Sequence, residues 1–306
     1  MKPLFRAASL AIAFATQGPA LAEEPHYPVK PLLWKIEGKD LAKPSYLFGT
    51  LHVGVRAVST FHPATTRAFD SADIVYTETP MDAASQSAAS NAIIRNDNKN
   101  LSDSIGADLS VQLNAELNQI KYPMSVESLK TWAVATELPL LRFQMTEEKP
   151  LDVIIWDRAT AASKQTEALE KPEDQRRIYD DLREDEQTAL LSETLRQLQE
   201  GRKAGNDPTD ALITAYLSGN SVRLEAELAR QMDGAQKGPH KDLFEKLNKR
   251  LLLDRNVSMS NTVATILTEK GAQSHFFAVG SSHLLGKSSL VDLISAQGYR
   301  VTRVTK

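Results

Sequence analysis

The chain carries six histidines, at 26, 52, 62, 240, 275 and 283, and two of them close the same four-residue pattern. Gly49-Thr50-Leu51-His52 and Gly280-Ser281-Ser282-His283 each follow a short apolar run that reads as a strand, over 45–48 and 274–279. Glycine at a strand end permits a sharp turn or a close backbone approach. A histidine placed there stands at the carboxyl edge of a strand, where open α/β sheets bind ligands and do chemistry. Glu78 ends a third apolar run, 73–77, which Pro80 stops. Two imidazoles and a carboxylate can hold a divalent ion with open positions. Such an ion lowers the pKa of its water and polarises a carbonyl. The same three groups could also work without metal, with His52 or Glu78 as general base toward water and His283 stabilising charge. Residue type alone leaves both chemistries open. One strand-end Gly-x-x-His is more often a structural turn, and a lone strand-end Glu is commonly just solvated. The repetition in matched context is what favours a shared site.

For these groups to meet, their strands must lie in one sheet. The order strand (31–36), strand (45–48), Gly-x-x-His turn, helix (63–71), strand (73–77) contains a βαβ unit. The other end repeats it: strand (274–279), Gly-x-x-His turn, helix (289–296) capped by Gly298, strand (299–304). The expected class is therefore α/β, with an α+β-like cast: a sheet built from the N- and C-terminal βαβ units, interrupted by a large helical insertion over about 83–270. Helical spacing supports that insertion at Leu191, Leu195 and Leu198, at Leu243, Leu247 and Leu251, and at Met259, Val263, Ile266 and Leu267. Residues 82–100, rich in Ala, Ser and Asn, read as a mobile loop or weak helix, and 201–208 as a polar turn. No linker divides the chain after residue 22, so 23–306 is expected to form one domain.

Composition is that of a globular protein, 42% hydrophobic and 25% charged, with a net charge of -3 that gives no electrostatic reason to expect nucleic acid as a partner. Residues 1–22 have the form of a secretory leader: Lys2 and Arg6, an apolar run over 7–16, and Ala20-Leu21-Ala22 before Glu23. That run is too short to span a bilayer. The expected location is periplasmic or secreted, with cleavage after Ala22 and no later membrane span. The sequence contains no cysteine, hence neither disulfides nor a lipid-attachment cysteine.

The residues 45–54, Ser-Tyr-Leu-Phe-Gly-Thr-Leu-His-Val-Gly, resemble the opening motif of the TraB/GumN family, and 278–286, Ala-Val-Gly-Ser-Ser-His-Leu-Leu-Gly, its closing motif. Between them Val75-Tyr76-Thr77-Glu78, Leu151-Asp152, Ala159, Leu169-Glu170 with Gln175, and Asp254-Arg255-Asn256 follow the family's order. Each motif is modest; the ordered set is specific and covers nearly all of the chain after residue 22. Thr131 before Trp132 and Ser289-Leu290 depart from the pattern, away from the presumptive ligands. The resemblance implies kinship with the Tiki metal-dependent proteases, and more distantly with erythromycin esterases and a haem-binding lipoprotein. It implies a Tiki-like fold and a site of His52, Glu78 and His283 around a divalent ion, Mn, Co or Zn. It also implies a peptide or other small carbonyl substrate. A metal-free esterase, and a non-catalytic binder of peptide, haem or glycan, are the alternatives. Three further residues are candidates for substrate contact or support. Arg255 suits a planar anion but could equally pair with Asp152 or Glu78. Glu170 could be a further acid, though a helix-orienting role is favoured. His62 lies in a loop close after the first motif. His26, His240 and His275 read as structural or solvated. Trp34, Trp132 and Trp156 read as core, and the charged run 172–187 as a solvated helix face.

Overall fold

Apolar runs bounded by glycine and proline become the strands of a six-stranded mixed sheet, in a computed structural model that describes residues 27–305 apart from 39 and 237. The leader expected over residues 1–22 lies outside the described residues. The strands are β1 (Leu33–Glu37), β2 (Ser45–Thr50), β3 (Ile74–Thr77), β4 (Gln165–Ala168), β5 (His275–Gly280) and β6 (Arg300–Arg303). Their order across the sheet is β4-β3-β5-β2-β1-β6. The first four in that order run parallel to one another, whereas β1 is antiparallel to both β2 and β6. Both end units are thus genuine parallel crossovers, and they interlock. The helix Pro63–Ser71 carries the chain from β2 to β3 over β5, and Leu290–Ala296 carries it from β5 to β6 past β2 and β1.

β5 is the central member. All six of its residues are buried, and it pairs with β2 in the register Phe48 to Ala278 and Thr50 to Gly280. Strands covered on both faces read as continuous apolar runs, and Phe276, Phe277, Ala278 and Val279 are such a run. Helices Leu151–Ala161 and Asp254–Glu269 pack Ile155, Ala159, Met259 and Val263 into the same core. A second apolar cluster joins Leu101, Leu113 and Val134 to Leu191, Leu195 and Leu198, away from the sheet.

One feature differs from the expected insertion, and another resolves a choice left open. The stretch between the ends is not wholly helical: β4, Gln-Thr-Glu-Ala, extends the sheet as an edge beside β3. An edge strand needs no apolar run, because one side faces solvent, so hydrophobic periodicity does not reveal it. The segment 82–100 does contain a helix, Ala83–Ala92, with no buried residue, started by Asp82 accepting from the Ala84 and Ser85 amides. Trp34, Trp132 and Trp156 are all buried. Among the described residues no helix is long and apolar enough to cross a membrane.

Candidate active site

Four adjacent parallel strands bring four loop starts to one edge. In sheet order these deliver Glu170 after β4, Glu78 after β3, the Gly280–His283 turn after β5 and His52 after β2. Because β5 lies between β3 and β2, Glu78 and His52 face each other across Gly280. His283 is carried back to the same place by the 3₁₀ turn Ser281–Leu284. Glu78 Oε1 lies 4.0 Å from His52 Nε2 and 3.7 Å from His283 Nε2, and accepts from the Gly280 amide at 2.6 Å. A Cβ at Gly280 would stand 3.0 Å from His52 Nε2 and 3.2 Å from Glu78 Oε1. The missing side chain is what lets the three groups converge. Gly49 has another reason: a Cβ there would meet Leu32 Cβ at 3.1 Å and the Ser281 Cα at 3.3 Å. It serves close packing of the two turns.

Each imidazole is fixed through its other nitrogen. His52 Nδ1 lies 2.7 Å from Asp152 Oδ2, and the second oxygen of Asp152 accepts from Thr50 Oγ1 at 2.7 Å. A carboxylate accepts only, so His52 carries its proton on Nδ1 and turns Nε2 toward Glu78. His283 Nδ1 lies 2.6 Å from Asn256 Oδ1. The two rings differ in exposure, 53% for the His52 side chain and 4% for that of His283.

Their proton affinities differ in step. The Asp152 charge, against the cost of burial, raises His52 to about 9. Burial pushes His283 down to about 4, with Arg255 and His52 adding to the push and Glu78 opposing it. Burial also works against ionisation of Glu78, but His283, His52, Arg255 and the Gly280 amide outweigh it and hold the carboxyl at about 2. At neutral pH His283 is uncharged, so the field that keeps Glu78 ionised there comes from His52 and Arg255.

Arg255 sits behind Glu78. Its Nη2 donates to Glu78 Oε2 at 2.5 Å and to Glu170 Oε2 at 2.7 Å, and Nε reaches Glu170 at 3.0 Å. Gln175 Nε2 completes the cluster by donating to Glu170 at 2.9 Å. Arg255 is therefore a largely buried partner of two carboxylates, Glu170 and, of the two partners considered for it, Glu78 and not Asp152. Burial disfavours its charge, yet Glu78 and Glu170 raise its pKa above the ordinary value. Glu170 is held by its own amide, which donates to the Glu78 carbonyl at 2.8 Å as a continuation of the β3–β4 ladder. Its carboxylate bonds side chains of two helices, Arg255 of Asp254–Glu269 and Gln175 of Pro172–Asp180. His62 stands elsewhere in its bonding: it is the N-cap of Pro63–Ser71, and its Nδ1 accepts from the Ala64 amide at 3.1 Å. Among the described residues it makes no hydrogen bond to the cluster.

Some residues at this edge carry no motif of their own in the sequence. Thr50 lies inside the first motif, and its part here is the bond to Asp152. Tyr216, from the helix Pro208–Leu217, donates its hydroxyl to the Gly49 carbonyl at 2.8 Å. Tyr179 stacks on Trp132, 5.1 Å between centroids, and burial pushes its hydroxyl up to about 12 against the nearby Arg255 charge. Burial likewise raises Glu137, opposed by its Gln144 bond and by the His52 charge. Asp152 and Gln175 do stand in the ordered motifs, and that order is the signal that could have placed them here.

A parallel-strand edge bearing two ring-fixed histidines, an ionised carboxylate and a largely buried arginine defines an α/β protein with a polar strand-end site. The TraB/PrgY/gumN family profile matches residues 32–303, and the chain belongs to that family. It is 25% identical to metalloprotease TIKI2 of Danio rerio over 88% of this chain and 60% of that protein. It is also 25% identical to metalloprotease TIKI1 of Danio rerio, over 90% of this chain and 64% of the relative. The same identity, over 88% of this chain and 61% of the relative, holds for metalloprotease TIKI1 of Homo sapiens. The chain thus spans less than two thirds of the length of these relatives. No solved structure gave a significant match.

Proposed function

We propose that this chain is an exported, metal-dependent hydrolase of peptide bonds, with His52, His283 and Glu78 holding a divalent ion such as Mn, Co or Zn. The observation that carries this reading is the convergence of two imidazole Nε2 atoms and one carboxylate oxygen over Gly280. The similarity to Tiki metalloproteases supports it. The donor chemistry fits an ion: both histidines hold Nδ1–H in a hydrogen bond, which leaves Nε2 as the ligand atom and raises its basicity. Among the described residues no three such side chains are drawn in as a ready metal cluster. The separations of 3.7 and 4.0 Å exceed the roughly 3.4 Å expected between donors bonded at about 2.1 Å around a tetrahedral ion.

A bound ion would supply an acidified water and a polarised carbonyl. The chain's own residues do the rest. Asp152 with Thr50 orients His52, and Arg255, braced by Glu170 and Gln175, keeps Glu78 ionised. Metal analysis of the purified protein should find close to one transition-metal ion per chain. A His52→Ala/His283→Ala variant should lose it, and chelator should abolish cleavage of a peptide library.

One observation favours a metal-free reading: Arg255 already neutralises Glu78 at 2.5 Å. In that reading the roles differ from those expected from sequence. Glu78, held at about 2, is a poor base, and His52, raised to about 9, is protonated at neutral pH. His283 would be the base and His52 the charge stabiliser. Hydrolysis that survives chelation, with no ion recovered, selects this reading and ends the first.

A further inference from the structure

The helix Asp254–Glu269 follows directly on a π turn, Lys249–Leu253, and its second and third residues serve two different members of the site. Arg255 reaches Glu78 and Glu170, and Asn256 reaches His283. Neighbouring helical residues point about 100° apart, so one helix start can brace both walls of a cleft. Asn256 is 1% exposed and uses both ends of its amide. Oδ1 lies 2.6 Å from His283 Nδ1, and Nδ2 donates to the Ser288 carbonyl at 2.9 Å. A carbonyl only accepts, so the Ser288 bond fixes which end of the amide is nitrogen. Ser288 itself holds φ at +58°, a conformation that serine seldom adopts.

We infer that Asn256 is a positioning residue whose Oδ1, as acceptor, locks His283 as the Nδ1–H tautomer and aims the Nε2 lone pair at Glu78, while its Nδ2 bond to Ser288 sets which end of the amide faces the ring. The inference rests on the proposed function only for the use made of that lone pair. Asp152 performs the same task for His52 with a carboxylate; Asn256 performs it with a neutral amide, which orients the ring without adding charge to a buried spot. Because the amide is held at both ends, the two halves of its role can be separated by substitution. Asn256→Asp keeps the acceptor and loses the donor. Asn256→Ala loses both.

The test is a long-range proton–nitrogen correlation spectrum of histidine-labelled, chelator-treated full chain, with His283 assigned through His283→Gln. Wild type should show His283 protonated on Nδ1 alone. Asn256→Asp should keep that tautomer, and Asn256→Ala should convert half or more of the population to the Nε2–H form. A wild-type His283 protonated on Nε2 overturns the inference, and so does an unchanged tautomer in Asn256→Ala. Loss of the tautomer in Asn256→Asp to the same extent as in Asn256→Ala also overturns it, because a merely structural amide would fail alike in both. The wild-type spectrum decides even if Asn256→Ala does not fold. The readout involves no metal and no turnover, so failure of the hydrolase reading leaves it standing.

Discussion

Asp152 does more than any other single residue to set the character of His52. It lies 2.7 Å from Nδ1 and is only 4% exposed at its side chain, so its charge is little screened. Asp152→Asn should bring His52 from about 9 back toward the ordinary imidazole value of about 6.5. Titration of the His52 ring protons reads this directly, and an unmoved midpoint would remove Asp152 as the cause. Gly280 gives the sharpest steric prediction. Gly280→Ala places a methyl group against His52 Nε2 and Glu78 Oε1. On the proposed function it should reduce peptide hydrolysis by roughly a hundredfold, because the methyl displaces His52 Nε2 and Glu78 Oε1 from each other. Gly49→Ala is its counterpart: there the contacts are Leu32 and the Ser281 backbone. That change should cost about 1–3 kcal/mol of stability, the usual penalty of overpacking, seen as a lower denaturant midpoint.

At the scale of elements, the site depends on pieces far apart in the chain that meet only at the strand ends. Tyr216, on the helix Pro208–Leu217, is fully buried and donates to the carbonyl of Gly49. It ties the insertion to the first Gly-x-x-His turn. Tyr216→Phe leaves that carbonyl without its buried donor, which should cost about 1–3 kcal/mol. Comparison of chemical denaturation of the variant and wild type measures it, and a change near zero would show that the carbonyl finds another donor. β4 acts in the same way for Glu170. Its ladder with β3 runs on past the strand, from the Leu169 and Glu170 amides to the Thr77 and Glu78 carbonyls. The second carboxylate of the Arg255 cluster is thereby fixed by backbone and not by a long side chain.

For the whole molecule, buried histidines set how stability varies with pH. His283 and His275 are both buried, and burial lowers both pKa values, His283 to about 4. A group whose folded pKa is depressed in this way folds best uncharged, so its contribution is complete above the unfolded value near 6.5 and is lost as pH falls through the folded value. From His283 alone the loss should reach about 3 kcal/mol by pH 4, at about 1.4 kcal/mol per unit. Glu78 adds its own loss only at lower pH, between the ordinary carboxyl value of 4.5 and about 2. His52 works on the other side: its stabilising charge is complete below about 6.5 and is lost as pH rises through about 9. The metal-free protein should therefore be most stable near pH 6.5 and weaken in both directions. His275 Nδ1 is buried with no hydrogen-bond partner, its ring packed beside Phe277 and Tyr76. His275→Phe should flatten the acid limb, as denaturant unfolding at several pH values would register. An acid limb unchanged in that variant would assign the whole slope to His283 and the carboxylates.

What was legible from residue order alone was what is local. Strand ends, Gly-x-x-His turns and cap residues follow from hydrophobic period and from the conformational limits of glycine and proline. The helix 63–71 and the two βαβ units could therefore be read directly, as could His52, Glu78 and His283 as candidates and the family motifs that contain Asp152, Gln175, Arg255 and Asn256. Only tertiary structure decided what those residues do to one another. The insertion of β5 between β2 and β3 sets Glu78 opposite His52 across Gly280, and strand order leaves no trace in hydrophobic pattern. β4 was hidden because an edge strand can be polar. Arg255 was undecided between partners 103 and 177 residues away, and distance in space settled it on Glu78. Whether a histidine is raised or lowered depends on burial and on the charge of the neighbour packed against it, and those are properties of the folded arrangement that no single stretch of chain contains.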